Sequence, residues 1–231
     1  MCFYLHDLQE TDKIKSLMSL SFTSDWFSPH IPVWEEVLGH LKGKPGLVFL
    51  EIGSYEGRSA CWMLSTILTH PTSRLTCIDI FDLNDENIDI GARLHFPVLT
   101  GEDMEQRFDA NIHVLQAESK VTKLKGQSRK LLRSLPLDSF DFIYIDGSHT
   151  SSSVLSDGVL ALDLLKPNGL LIFDDYRWNG FPEAPLRNPH AGIDAFLTFF
   201  KDEYEMIHKD YQVIVRRKEK VTASDASLRP H

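Results

Sequence analysis

Cysteine is scarce in this 231-residue chain: Cys2, Cys61 and Cys77 are odd in number and far apart, so no disulfide framework is expected. Cys61 and Cys77 sit in apolar patterns where a thiol behaves as a small buried hydrophobe, which fits a reducing compartment. Long apolar runs are missing too, since none approaches the roughly 18 residues of a membrane span. The start, Met1-Cys2-Phe3-Tyr4-Leu5-His6-Asp7, lacks the basic residues that open a signal peptide, so a cytoplasmic location is the expectation and no membrane partner is. Positive charge is in deficit, with 24 Lys and Arg against 33 Asp and Glu and a net charge of −9. Without a basic surface to neutralise phosphates, nucleic acid is not an expected partner. Arg216-Arg217-Lys218 with Lys220 is the one clustered basic run and reads as a solvated strand end.

What is present is an apolar share of 42% beside 25% charged residues, enough to build a core. Apolar runs at 47–52, 75–80, 121–124, 140–145 and 170–173 read as strands. Helical spacing runs from Arg58 to Leu68, from the Ser/Thr-rich stretch after Ile145 to Leu165, and from Ile193 to Phe200. Lys166-Pro167-Asn168-Gly169 marks a helix stop, and two closing strands fall near 206–208 and 212–216. Strands alternating with helices predict a doubly wound α/β fold with a mostly parallel seven-stranded sheet. Residues 1–44 read as an N-terminal helical cap with a helix opened by Pro32, in which Trp34, Val37, Leu38 and Leu41 share a face. The main domain is expected over 45–218, with a polar, acidic, unpatterned insertion at 82–108 and a frayed tail at 219–231.

The segment Glu51-Ile52-Gly53-Ser54-Tyr55-Glu56-Gly57-Arg58-Ser59 links the first strand to its helix, where doubly wound folds bind nucleotide-like ligands. Gly53 and Gly57 let a backbone come close, and Asp79 ends the second strand, where a carboxylate can hold two ribose hydroxyls. A dinucleotide site would place glycines two and then three apart, whereas these are four apart and preceded by an acid. That acid repels a pyrophosphate but suits an amino group and a sulfonium, which favours S-adenosylmethionine over NAD. Asp146 ends the fourth strand and Asp174-Asp175 the fifth, neighbours roughly 5 Å apart in such a sheet. Three acids at one point call for a cation or a proton, and an all-oxygen set suits a divalent metal, Mg²⁺ foremost. His149 lies three residues beyond Asp146, within reach as a base. Trp26, Phe27, Trp34 and Trp178 suit core positions better than a substrate wall.

With Tyr144-Ile145-Asp146-Gly147-Ser148-His149 and Phe173-Asp174-Asp175-Tyr176, the cofactor loop resembles the class I methyltransferases, in the small-molecule O-methyltransferase group that includes macrocin O-methyltransferase and cephalosporin-hydroxylase-type proteins. The likeness spans roughly 45–217 and departs from the class pattern at Tyr55, which stands where a glycine is usual. It implies transfer of a methyl group to a hydroxyl of a small molecule, and a homo-oligomer. Glu51, Gly53 and Ser59 would lie at the methionine moiety, Asp79 at the ribose, and Phe81, Gln127 and Ser128 around the adenine, with Ser54 and Gly57 also binding the cofactor. Asp146, Asp174 and Asp175 would hold the metal, with His149 and Asp146 catalytic. A metal-independent N- or O-methyltransferase and a non-methylating cofactor-binding accessory protein are the alternatives.

Overall fold

In the computed structural model residues 20–82 and 101–219 are described, and the apolar runs become strands that pair side by side. β1 (Val48–Ile52), β2 (Arg74–Asp79), β3 (Val121–Lys125), β4 (Phe140–Ile145) and β5 (Leu165–Phe173) are parallel to one another. β7 (Val213–Arg217) runs antiparallel between β5 and β6 (Tyr204–Lys209), giving the order β3-β2-β1-β4-β5-β7-β6. The doubly wound, mostly parallel seven-stranded sheet expected from the sequence is therefore the fold. Its order reverses between β1 and β4, and at such a reversal the strand ends splay to leave a crevice.

Strand alternation divides the apolar side chains between two cores. Phe49, Leu75, Cys77, Phe142, Tyr144, Ile172 and Ile214 face one side, against α1 (Ile31–Leu38), α2 (Arg58–Trp62) and α3 (Gly101–Val114). Leu50, Ile52, Ile78, Ile143, Ile145, Leu171, Phe173, Val213 and Val215 face the other, against α5 (Ser151–Leu164) and α6 (Pro189–Phe199), beyond the short α4 (Ser128–Leu131). The cap helix is anchored by Trp34, which is fully buried and meets Phe27 and Tyr144 edge to face at 4.9 and 4.8 Å. Each large apolar side chain so buried contributes about 1.5–3 kcal/mol. Among the described residues no helix is long and apolar enough to cross a membrane.

Four local expectations change. The helix after β1 is α-helical only to Trp62 and continues as a π-turn over Met63–Ile67, closed by the Leu68 amide on the Met63 carbonyl at 2.8 Å. The wider turn lets Met63, Leu64, Ile67 and Leu68 all point inward. The helix after β4 stops at Leu164, within a residue of the expected end, but the next strand does not wait for Leu170: β5 begins at Leu165, and Lys166–Gly169 bulge out between the Phe140–Leu165 and Phe142–Leu170 pairs. The insertion is not unpatterned to 108, because α3 starts at Gly101 and buries Met104, Phe108 and Ile112 at four-residue spacing. Arg217 is no solvated strand end: it is buried and donates to Asp138 and to the Leu165 carbonyl. The remainder of the insertion, Cys2 with the first part of the cap, and the tail from 220 lie outside the described residues.

Phe108 closes the gap between α3, Gly57 and Phe81, so Phe108→Ala is expected to cost about 3–5 kcal/mol of unfolding free energy in urea titrations; a loss below about 1 kcal/mol would show that α3 does not belong to this core.

Candidate active site

The site is built where β1, β2, β4 and β5 end. β1 ends in Glu51 and Ile52, and the chain then turns through Gly53 (φ +87°), Tyr55 (φ +49°) and Gly57 (φ +82°) into α2. The need for glycine at the first of these lies within the protein itself. A Cβ on Gly53 would stand 1.9 Å from the carbonyl oxygen of Asp146, so the β1 and β4 ends can meet only without one. A Cβ on Gly57 would meet the Phe108 ring at 2.9 Å.

Glu51 is fully buried, and burial pushes its carboxyl up to about 7. Its Oε1 accepts the Ser59 hydroxyl, while Oε2 and the hydroxyl of buried Ser54 have no partner within the described protein. Buried oxygens of this kind are normally satisfied, and an amino group of a ligand would satisfy both. Asp79 accepts the Tyr55 amide on Oδ2 (2.8 Å) and the Phe81 amide on Oδ1 (2.7 Å), which fastens the loop after β1 to the end of β2. Burial raises the Asp79 carboxyl, and the backbone amides of Phe81, Tyr55, Ser54 and Ile80 act against that rise. Glu56, missed in the sequence, is buried and takes the Thr23 amide (2.6 Å), the Thr23 hydroxyl (2.9 Å) and the Arg107 guanidinium (2.8 Å), tying the cap to this loop.

The residues expected around an adenine gather beside the ends of β2 and β3. Phe81 is in the core, 5.4 Å from Phe108, with the Lys123 ammonium 5.5 Å from its ring centre. Gln127 is the extended residue that opens α4, and the Ser128 hydroxyl donates to both oxygens of Asp157 at 2.9 and 3.0 Å. Burial pushes Asp157 up to about 6.

Across the β1–β4 junction stand the acids. Pairing of Ile145 with Phe173 brings Asp146 beside Asp174. Tyr144, two residues before Asp146 and hence on the same strand face, donates its hydroxyl towards Asp146 (2.9 Å) and Asp174. One phenolic proton cannot serve two carboxylates. Burial and the adjacent Asp174 and Asp175 push the Asp146 carboxyl well above its ordinary range. Asp174 is raised by burial and by Asp175. Burial raises Asp175 as well, but the bonds from His149 and Tyr211 outweigh it and hold that carboxyl below the ordinary value.

The three expected acids line one cleft, but Asp174 is not in the tightest group of ligand atoms. Its carboxylate is engaged by Tyr144, the Gln212 amide (2.9 Å) and the Asp175 amide (2.7 Å). His149 joins the other two: one ligand atom each from Asp146, His149 and Asp175 lie within 4.8 Å of one another. His149 Nε2 is 2.8 Å from Asp175 Oδ2, and Trp178 covers the imidazole at 4.9 Å between ring centres. The Tyr211 hydroxyl donates to Asp175 Oδ1 at 2.9 Å. A cleft of about 180 Å³, its open mouth included, is lined by Asp146, Gly147, Ser148, Asp174, Asp175 and Pro189 with Ile145 and Val154. Trp34 and Phe27 are core, as their type suggested, whereas Trp26 is exposed and rests on Tyr55 at 5.8 Å. Tyr144 was findable from its two-residue spacing to Asp146; Tyr211 and Gln212 carried no signal.

Sheet order, the glycine turn after β1 and the acid ending β2 define the class I methyltransferase fold. The chain belongs to the methyltransferase-domain family, whose model matches residues 50–176, more than half of its length. It is 29% identical to a caffeoyl-CoA O-methyltransferase of Pinus taeda over 153 residues, 66% of this chain and 51% of that protein. It is 25% identical to a rhamnosyl O-methyltransferase of Mycobacterium leprae (strain TN) over 174 residues, 74% of this chain and 66% of the relative. The chain thus spans about half the length of the caffeoyl-CoA relatives that it matches. An O-methyltransferase from Bacillus cereus solved with SAH superposes at a TM-score of 0.59 with 18% identity, covering 91% of this chain and 90% of that one. The O-methyltransferase NovP superposes at 0.57 with 21% identity, covering 80% and 76%.

Glu51 supplies a test by pH. Its carboxyl is raised in the fold from 4.5 to about 7, so the proton it holds stabilises the folded state fully below pH 4.5 and that stability is lost as pH rises to 7. Relative to wild type, neutral Glu51→Gln is expected to gain about 3 kcal/mol between pH 4.5 and 7 in denaturant titrations without ligand. A constant difference across that range would show that Glu51 ionises normally.

Proposed function

We propose that this protein transfers the methyl group of S-adenosylmethionine to a hydroxyl oxygen of a small molecule, with a divalent cation, Mg²⁺ foremost, at the carboxylate cluster. The observation that carries the reading is the junction at Gly53 and Asp146. It sets two buried, unpartnered oxygens, Glu51 Oε2 and Ser54 Oγ, on one side and the Asp146, His149 and Asp175 group on the other. Support comes from the family and from relatives whose names specify O-methylation of caffeoyl-CoA and of a rhamnosyl group, both hydroxylated acceptors.

When bound, S-adenosylmethionine would supply the sulfonium methyl, with its carbon–sulfur bond broken as the carbon–oxygen bond is made, and the cation would supply positive charge for an acceptor oxygen and for the buried acids. Glu51 and Ser54 would receive the amino group of the methionine moiety, Asp79 the ribose hydroxyls, and Phe81, Gln127 and Ser128 would bound the adenine. Asp146 and Asp175 would hold the cation. His149 takes the proton lost by the acceptor hydroxyl, and Asp175 orients the imidazole and stabilises its charged form. A metal-independent O-methyltransferase is the second reading, favoured by the His149–Asp175 contact at 2.8 Å, which forms a complete base pair without a cation.

Calorimetry with S-adenosylhomocysteine, with and without Mg²⁺, tests both. Binding to wild type is expected, with at least a tenfold loss in Asp79→Ala; no binding to wild type would overturn the methyltransferase reading. Chelator-sensitive turnover of hydroxylated acceptors that Asp175→Ala abolishes is the outcome expected of the cation site, and chelator-indifferent turnover supports the second reading.

A further inference from the structure

We infer that the N-terminal cap is part of the catalytic apparatus: two parallel contacts from one side of its helix, Trp34 through Gln212 and His30 through Tyr211, set the directions of the adjacent acids Asp174 and Asp175. Neither contact follows from the methyl-transfer reading, although their effect on a cation rests on it.

The first is a buried chain. Trp34 Nε1 donates to Gln212 Oε1 at 2.8 Å, and Gln212 Nε2 donates to Asp174 Oδ2 at 2.9 Å. An indole N–H can only donate, so it selects the oxygen end of the amide, and the nitrogen end is thereby committed to the carboxylate. Trp34 and Gln212 are each at most 2% exposed, leaving no water to substitute for either partner. The second chain runs one residue along. The Tyr211 hydroxyl donates to Asp175 Oδ1 at 2.9 Å, and its ring lies stacked against His30 at 5.3 Å between centres. His30 and Trp34 are four residues apart, at the start of α1 and one turn into it, and so lie on one side.

Asp174 and Asp175 are neighbours in sequence whose carboxylates serve different ends. The Trp34–Gln212 contact holds Asp174 inward. Tyr211 pins one oxygen of Asp175, leaving the other to meet His149, 2.8 Å away. Without Trp34 the Gln212 amide is free to turn its oxygen against Asp174, and without the Tyr211 hydroxyl Asp175 rotates about its terminal bond. Trp34, Gln212 and Tyr211 are positioning residues; none reaches the reacting atoms.

Titration of Mn²⁺ by electron paramagnetic resonance into wild type, Trp34→Phe, Gln212→Met and Tyr211→Phe, each paired with S-adenosylhomocysteine calorimetry, tests the assignment. Each variant is expected to bind Mn²⁺ about 10-fold more weakly or worse while S-adenosylhomocysteine affinity stays within about twofold. Should Trp34→Phe fail to fold, Gln212→Met and the half-buried Tyr211→Phe carry the test. Wild-type Mn²⁺ affinity in the variants overturns the positioning role and leaves the cation site standing, as does an equal loss of both ligands, which marks a merely structural role. A wild type that binds no Mn²⁺ overturns the cation site, and the positioning role with it.

Discussion

The backbone of β1 passes so close to that of β4 that no side-chain carbon fits between Gly53 and the Asp146 carbonyl. The Asp146 amide donates to the Ile52 carbonyl at 2.7 Å and the Gly53 amide to the Ile78 carbonyl at 2.8 Å, so three strand ends are fastened at one level. Everything functional is measured from that level. The loop after β1 bends away with its polar groups buried, and the acids after β4 and β5 rise beside it. A wider spacing would separate the loop after β1 from the acids after β4 and β5, and the proposed transfer depends on their separation to within about an ångström.

Charge compensation is the second constraint. Asp146, Asp174 and Asp175 cluster where little water reaches, and their mutual repulsion has to be answered by donors, protons or a cation. The protein answers each differently. Asp174 is given a phenol and an amide, Asp175 an imidazole and a second phenol, and Asp146 shares the first phenol while burial and its neighbours raise its carboxyl.

The cofactor side has a related economy. Asp79 braces Tyr55 and Phe81, both at positive φ, so the acid that would meet a ribose also holds the loop in a conformation side-chain-bearing residues seldom adopt. Glu56 fastens the same loop to the cap through Thr23 and to α3 through Arg107. The cap therefore touches the loop after β1 as well as the acids after β5, and it is continuous with the core through Trp34.

Much was legible because it is local. Runs of apolar residues, a glycine turn between strand and helix, and acids at strand ends follow from neighbours in the chain, and they predicted the sheet and the strand ends at which Glu51, Asp79, Asp146 and His149 lie. The Met104, Phe108 and Ile112 stripe was equally local but was hidden by the acidic residues around it. Partnership was not legible. That Asp174 is engaged by an amide while Asp175 meets His149 depends on Gln212 and Tyr211, which arrive from the β6–β7 turn 38 and 36 residues later, and on Trp34, which meets Gln212 across 178 residues. A lone pair has a direction that residue order does not encode, so the sequence by itself determined which groups reach the site, and only tertiary packing decided which atoms they face.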